Sequence, residues 1–218
     1  AYDAADTEND NISIGYAALG GSVAGGQYNI AIGNYSLDAL TTASSIIAIG
    51  HYAGSGITTG LRSTFVGERA GMTVSTASNN TAIGYEALKN ATQGDNTAVG
   101  ANAGAAITGG SDNVAIGSNA LDYEQDGHSN VAVGAWSQSA SRGAQRNTSI
   151  GQTSMAALTT GNKNIALGWS AGNNITSGQN NVVIGAADVP TATANSQLSI
   201  SSGDGGVTWI TGTSAGAV

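Results

Sequence analysis

Three carboxylates alternate in Asp122-Tyr123-Glu124-Gln125-Asp126, and alternating acids on a loop can supply the oxygen ligands of Ca²⁺. They are the only metal candidate; the competing reading is a solvated loop. The acidic lead-in, residues 1–10, carries Asp3, Asp6, Glu8 and Asp10, whose spacing matches no calcium loop. His51 and His128 have no Cys, Asp or Ser at a recognisable catalytic spacing, so no chemistry is assigned to them. Paired acids in neighbouring repeats would suggest polysaccharide cleavage, but the nearest approach, Glu68 and Glu86, falls at unmatched positions. No catalytic residue and no cofactor is expected, and the chain is not expected to be an enzyme. The remaining candidates are aromatic: Tyr16, Tyr35, Tyr52, Tyr85, Trp136 and Trp169 each follow a recurrent glycine by one or two residues. Rings on such a shoulder can stack on sugars, or they can cover the edges of a stacked fold.

The elements that position these residues are copies of one unit, Asn113-Val114-Ala115-Ile116-Gly117. Asn opens the copies at Asn11, Asn29, Asn80, Asn96, Asn113, Asn130, Asn147, Asn164 and Asn181; Ile46 and Ser63 open two more. The closing glycines fall at 15, 33, 50, 67, 84, 100, 117, 134, 151, 168 and 185, a period of 17 broken once by 18 and once by 16. Self-similarity at a fixed short period marks a solenoid. The single deletion lies between Gly94 and Asn96, inside a turn, where length changes are tolerated.

Numbering each coil from the Asn, positions 2 and 4 are aliphatic or Thr, position 3 is small and position 5 is Gly. Position 8 is Ala or Ser, and position 9 is often Leu or Gly. Position 12 carries Val23, Leu40, Ile57, Val74, Ile107, Leu158 and Ile175, followed by a recurrent Thr or Ser and, at position 15, a recurrent Gly. Positions 1–5 alternate with period two and read as a strand that the Gly ends. A second strand is expected around positions 12–13. Helix is excluded, because each Gly would cost about 1 kcal/mol and no 3.6-residue stripe appears. The expectation is an all-β parallel β-roll or β-solenoid of about eleven 17-residue coils, spanning residues 11–189 and roughly 50 Å long at ~4.8 Å per coil.

Asn at position 1 has two structural readings: an amide ladder along the axis, or tolerance of left-handed backbone near the preceding turn. Position 3 holds Ser13, Ala31, Ala48, Phe65, Ala82, Ala98, Ala115, Ala132, Ser149, Ala166 and Val183, with no charge. Positions 2 and 4 are expected to face inward, so this opposite face is the one expected to meet water, and yet it is uncharged. A strand apolar on both sides is covered on both sides. The narrow interior covers one; a second copy of the chain is the economical cover for the other. In coils seven and eight position 12 becomes Glu124 and Ser141, and the second strand there is expected to bulge outward or be lost.

Composition limits partners. Only 9% of residues are charged and the net charge is −8, which argues against nucleic acid and anionic lipid. With no Cys, disulfides and thiolate metal sites are excluded. No run of about 18 apolar residues is present to insert in a membrane as a helix. No stretch of these residues reads as a signal peptide, and opening at Ala1 rather than Met is expected of a processed product or a segment of something longer. After Pro190 the register fades into a C-terminal hairpin and tail, residues 190–218. There Ser196–Ser201 reads as a strand, Ser202–Gly206 as a turn and Val207–Gly212 as a returning strand.

The recurring N-[IVT]-A-I-G with glycine-rich returns, as in Asn80-Thr81-Ala82-Ile83-Gly84-Tyr85-Glu86-Ala87-Leu88, resembles two related groups. One is the head of YadA-type trimeric autotransporter adhesins, a left-handed parallel β-roll with three chains side by side and a shorter coil than this one. The other is the repeat shaft of bacteriophage tail fibres. Leu198–Gly212 resembles the hairpin that precedes a self-cleaving, endosialidase-type intramolecular chaperone. The resemblance implies a homotrimeric structural fibre on a virion, contacting a bacterial surface polysaccharide or outer-membrane receptor and joined to other tail proteins. A bacterial-surface adhesin fragment is the alternative, disfavoured because no heptad stalk or anchor is present. A polysaccharide-degrading tailspike is the third reading. Ice binding through the position-13 threonines is contradicted by Gln125 and Arg142 in that column.

Overall fold

The computed structural model describes residues 10–21 and 23–213, so Asp3, Asp6, Glu8 and the tail after Thr213 lie outside the described residues. Its strands are β1 (Ile12–Ile14), β2 (Ile30–Ile32), β3 (Ile47–Ile49), β4 (Thr64–Val66), β5 (Thr81–Ile83), β6 (Thr97–Val99), β7 (Val114–Ile116), β8 (Val131–Val133), β9 (Thr148–Ile150), β10 (Ile165–Leu167), β11 (Val182–Ile184), β12 (Leu198–Ser201) and β13 (Thr208–Gly212). They form one sheet in sequence order. Strands β1 to β12 are parallel and each residue pairs with its equivalent in the next coil, as Ala98 does with Ala115. The chain is a β-solenoid of about eleven coils, closed by β13, which pairs antiparallel with β12.

Each coil contains one three-residue strand and not two. The expected second strand at positions 12–13 is a bend, although its backbone still bonds the next coil: Thr41 N donates to Thr58 O at 3.0 Å. The remainder of the coil is continuous turn. Left-handed residues recur at positions 7, 9 and 17, as at Asn102, Gly104 and Asp112. At position 5, φ between +127° and +138° at Gly117, Gly134, Gly151 and Gly168 lies where only Gly is comfortable. A turn-built coil gives the strand no room to lengthen.

The strand faces the opposite way from the sequence expectation. Position 3 points inward: Ala31, Ala48, Phe65, Ala82, Ala98 and Ala132 are fully buried, packed in one core with the position 8, 9 and 12 side chains. Ser149 Oγ, from position 3, donates to Ser154 O at position 8 across a 2.9 Å gap, so sheet and opposite turn nearly touch. A cavity that thin holds Ala, and the Ile and Val of positions 2 and 4 are forced outside. Phe65 and Val183 are larger, and both lie beside a position-9 glycine: a Cβ on Gly172 would lie 3.4 Å from Val183 Cγ2. A Cβ on Gly71 would lie 2.2 Å from the Phe65 ring, and one on Gly54 2.9 Å.

Coils seven and eight keep the period instead of bulging. Glu124 and Ser141 are both fully buried, so the expected solvated loop is corrected. At the junction of coils six and seven one position-13 carbonyl takes several N–H groups of the coil before it: Gln125 O accepts from Thr108, Gly109 and Gly110 at 3.0–3.1 Å. At the next junction Glu124 Oε1 does this work, accepting Gln125 N at 3.0 Å, Gly127 N at 2.8 Å and Gly143 N. The apolar core divides here into one cluster ending at Ala132 and another starting at Ala144.

Candidate functional site

The outward sheet face runs along the solenoid from β1 to β12. Position 4 is Ile, Val or Leu in every strand from β1 to β12. Ile14 is 59% exposed, and Ile49, Ile83, Ile116, Ile150 and Ile184 lie near 40%. Position 2 adds exposed Ile12, Ile47 and Ile165 among threonines and valines. The stripe is roughly 10 Å wide, three strand residues, and roughly 50 Å long. Lys, Glu and other charges that blunt a solvent-facing sheet are missing from it.

Behind one margin of this face runs the position-1 column. Asn113 Nδ2 donates to Asn96 Oδ1 at 3.1 Å, and the same bond links Asn130, Asn147, Asn164 and Asn181 in turn at 3.0–3.2 Å. The Nδ2 of Asn113, Asn130, Asn147 and Asn164 also donates across the coil to a position-15 carbonyl, as Asn130 does to Ala144 O at 2.7 Å, and that of Asn181 to Ala194 O at position 14. Gln197 continues the column onto β12. Asn29 accepts from Ile46 N, and Ser63 accepts from Asn80 N, so Asn11, Asn29 and Asn80 sit in the column without an unbroken amide chain. The left-handed backbone belongs to the residue before, such as Asp112 or Ser129.

The shoulder aromatics do not make a single ridge. Tyr16 meets Tyr35 edge-on at 5.4 Å, and Tyr35 stacks on Tyr52 at 4.9 Å with planes 4° apart. His51 leans on Tyr52 at 4.3 Å. Burial in this stack, with the neighbouring Tyr16, Tyr52 and Asp38 charges, raises the Tyr35 hydroxyl above its ordinary value. Tyr85, Trp136 and Trp169 are exposed and touch no other ring among the described residues.

Asp122, Glu124 and Asp126 do not converge. Glu124 is inside the coil on backbone amides, Asp122 is half-buried and Asp126 is exposed. Among the described residues no group of three His, Asp or Glu is placed to hold a metal ion. His128, isolated in sequence, lies over Ser111 one coil earlier: its Nδ1 accepts Ser111 N–H at 3.0 Å. Ser111 Oγ donates to Asp112 Oδ2 at 2.7 Å. This is a capping contact, since Ser44, Ser78 and Asn162 accept the equivalent N–H in their coils. Its signal was available in the repeat, because residues 17 apart are stacked neighbours.

No protein-family model, curated protein or solved structure matches this chain. Glu86, which the sequence set beside Glu68, is joined instead by Arg69 and Lys89, which the repeat pattern did not single out. Glu86 Oε1 accepts Arg69 Nη1 at 3.2 Å and Lys89 Nζ at 3.1 Å. Burial alone would raise its carboxyl, but hydrogen bonds from Lys89 and Arg69 outweigh that and hold it below the ordinary range.

Proposed function

We propose that the chain is a segment of a structural fibre, a side-by-side homotrimer of solenoids that extends from a virion as a phage tail fibre and contacts a bacterial surface. The observation that carries the association is the outward aliphatic column at position 4. A solvated sheet face would alternate to polar residues, and here large β-branched side chains stand in water along the whole rod. Every coil presents the same stripe, so the cover that fits every coil is another copy of the same rod in register. Three copies about one axis close the surface, whereas an open arrangement would leave a face to polymerise. Placement on a virion rests on the likeness of the N-[IVT]-A-I-G repeats to tail-fibre shafts.

Light scattering on the natively expressed chain tests this reading. The expected mass is three times that of the 21.3 kDa polypeptide, and it should persist at micromolar concentration. A well-folded single chain at that concentration overturns it.

A further inference from the structure

We propose that a groove across coils five to seven, lined by Asn90, Asn102, Asp122 and Tyr123 over an alanine floor, binds one neutral hexopyranose residue of a glycan. The groove is shallow and open to solvent, with a volume of about 330 Å³. It exists because coil six is cut short at positions 10 and 11, where Ala105 and Ala106 stand between Lys89-Asn90 and Asp122-Tyr123. The walls are two coil spacings apart, roughly 10 Å, enough for one sugar ring and too short for an extended peptide.

The chemistry of the walls is that of a hydroxyl acceptor set beside an apolar surface. Asn90 Nδ2 is committed to Ala105 O at 2.9 Å and Asn102 Nδ2 to Asn119 Oδ1 at 3.3 Å, which leaves both amide oxygens for a ligand. Lys89 and Glu86 neutralise each other at the far wall. The Asp122 side chain has no hydrogen bond among the described residues, and burial pushes its carboxyl up. Tyr123 is 53% exposed and contacts no other ring. A pyranose supplies what these groups lack: several O–H donors at its rim and a C–H face to lie on the tyrosine. The unpaired carboxylate disfavours an anionic sugar. Coil nine has the same two alanines at Ala156 and Ala157, but Ser139-Ala140 and Asn173-Asn174 beside them provide no aromatic wall.

All of the lining comes from one chain, so the site does not depend on trimer formation. Saturation-transfer NMR on the full chain, with methyl glucopyranoside, galactopyranoside and mannopyranoside at tens of millimolar as probes, tests it. At least one should bind saturably and a methyl glucuronide should bind less well. Tyr123→Ala and Asp122→Ala should each weaken association about tenfold, with the circular dichroism spectrum unchanged. Ala105→Gln, which fills the floor, should do the same. Absence of saturable binding by all three neutral probes overturns the site. So does binding that is lost in Trp136→Ala but intact in Tyr123→Ala, which would move the sugar to the shoulder. The same samples give the mass, so a monomer that binds sugar defeats the fibre reading and spares the groove.

Discussion

Gly117 shows how little freedom a single residue has in this coil. Its φ is +127°, and a Cβ there would lie 2.6 Å from the Gly134 carbonyl carbon. Gly117→Ala therefore combines backbone strain of about 1–3 kcal/mol with an overlap that neither coil can relieve alone. The expected outcome is a loss of at least about 3 kcal/mol in denaturant unfolding, or failure to fold. Glu86 gives a prediction of a different kind. Its folded carboxyl lies below its ordinary value, so its contribution is complete above about pH 4.5 and disappears as pH falls through the folded value. Unfolding curves of wild type and Glu86→Gln should differ at neutral pH and converge in acid. Curves that diverge as pH falls would contradict the assignment.

At the scale of the coil, a carboxylate stands in for a carbonyl. Position 12 is aliphatic in most coils, and restoring that pattern with Glu124→Leu would look like an improvement to a core. The structure predicts the reverse. Glu124 Oε1 accepts three backbone N–H groups at the junction of coils seven and eight, and Leu would strand them. Losing charged acceptors from buried amides costs about 2–3 kcal/mol. Glu124→Leu should therefore destabilise by that order, and Glu124→Gln, which retains an acceptor oxygen, by about half as much or less. Thermal unfolding of the two variants checks this, and a stabilised Leu variant would refute it. The cost also has a position: hydrogen exchange should quicken first between Leu121 and Gln145, where the apolar core is divided.

For the whole molecule, the outward stripe makes a prediction that separates association from folding. Ile116 and Ile150 are exposed at 38% and 43%, so Lys at either place meets water in a lone chain. Ile116→Lys and Ile150→Lys together should leave the strand signal in circular dichroism intact and convert the proposed trimer to smaller species. Buried at a subunit contact, each unpaired charge costs several kcal/mol. A double variant with unaltered mass would show that the stripe is not the contact.

The period, the parallel stacking of the strand at positions 1–5 and the closing hairpin could be read from the chain, because stacking repeats a local pattern and needs no long-range information; the second strand expected at positions 12–13 is a bend. The Asn at position 1, the Gly at position 5 and the aliphatics at position 12 state it in every coil. Which face of the strand points inward could not be read. Alternation says that positions 2 and 4 share a side opposite to position 3, and both sides are apolar, so pattern alone leaves the choice open. The choice is made by the space between sheet and opposing turn, which holds Ala in most coils and takes Phe65 and Val183 where position 9 nearby is the bare Gly54, Gly71 or Gly172. The repeat already aligns Asn90, Ala106 and Tyr123 at position 11 of successive coils; the depth of the groove they line, and the Asp122 carboxyl left without a hydrogen bond among the described residues, needed the tertiary structure.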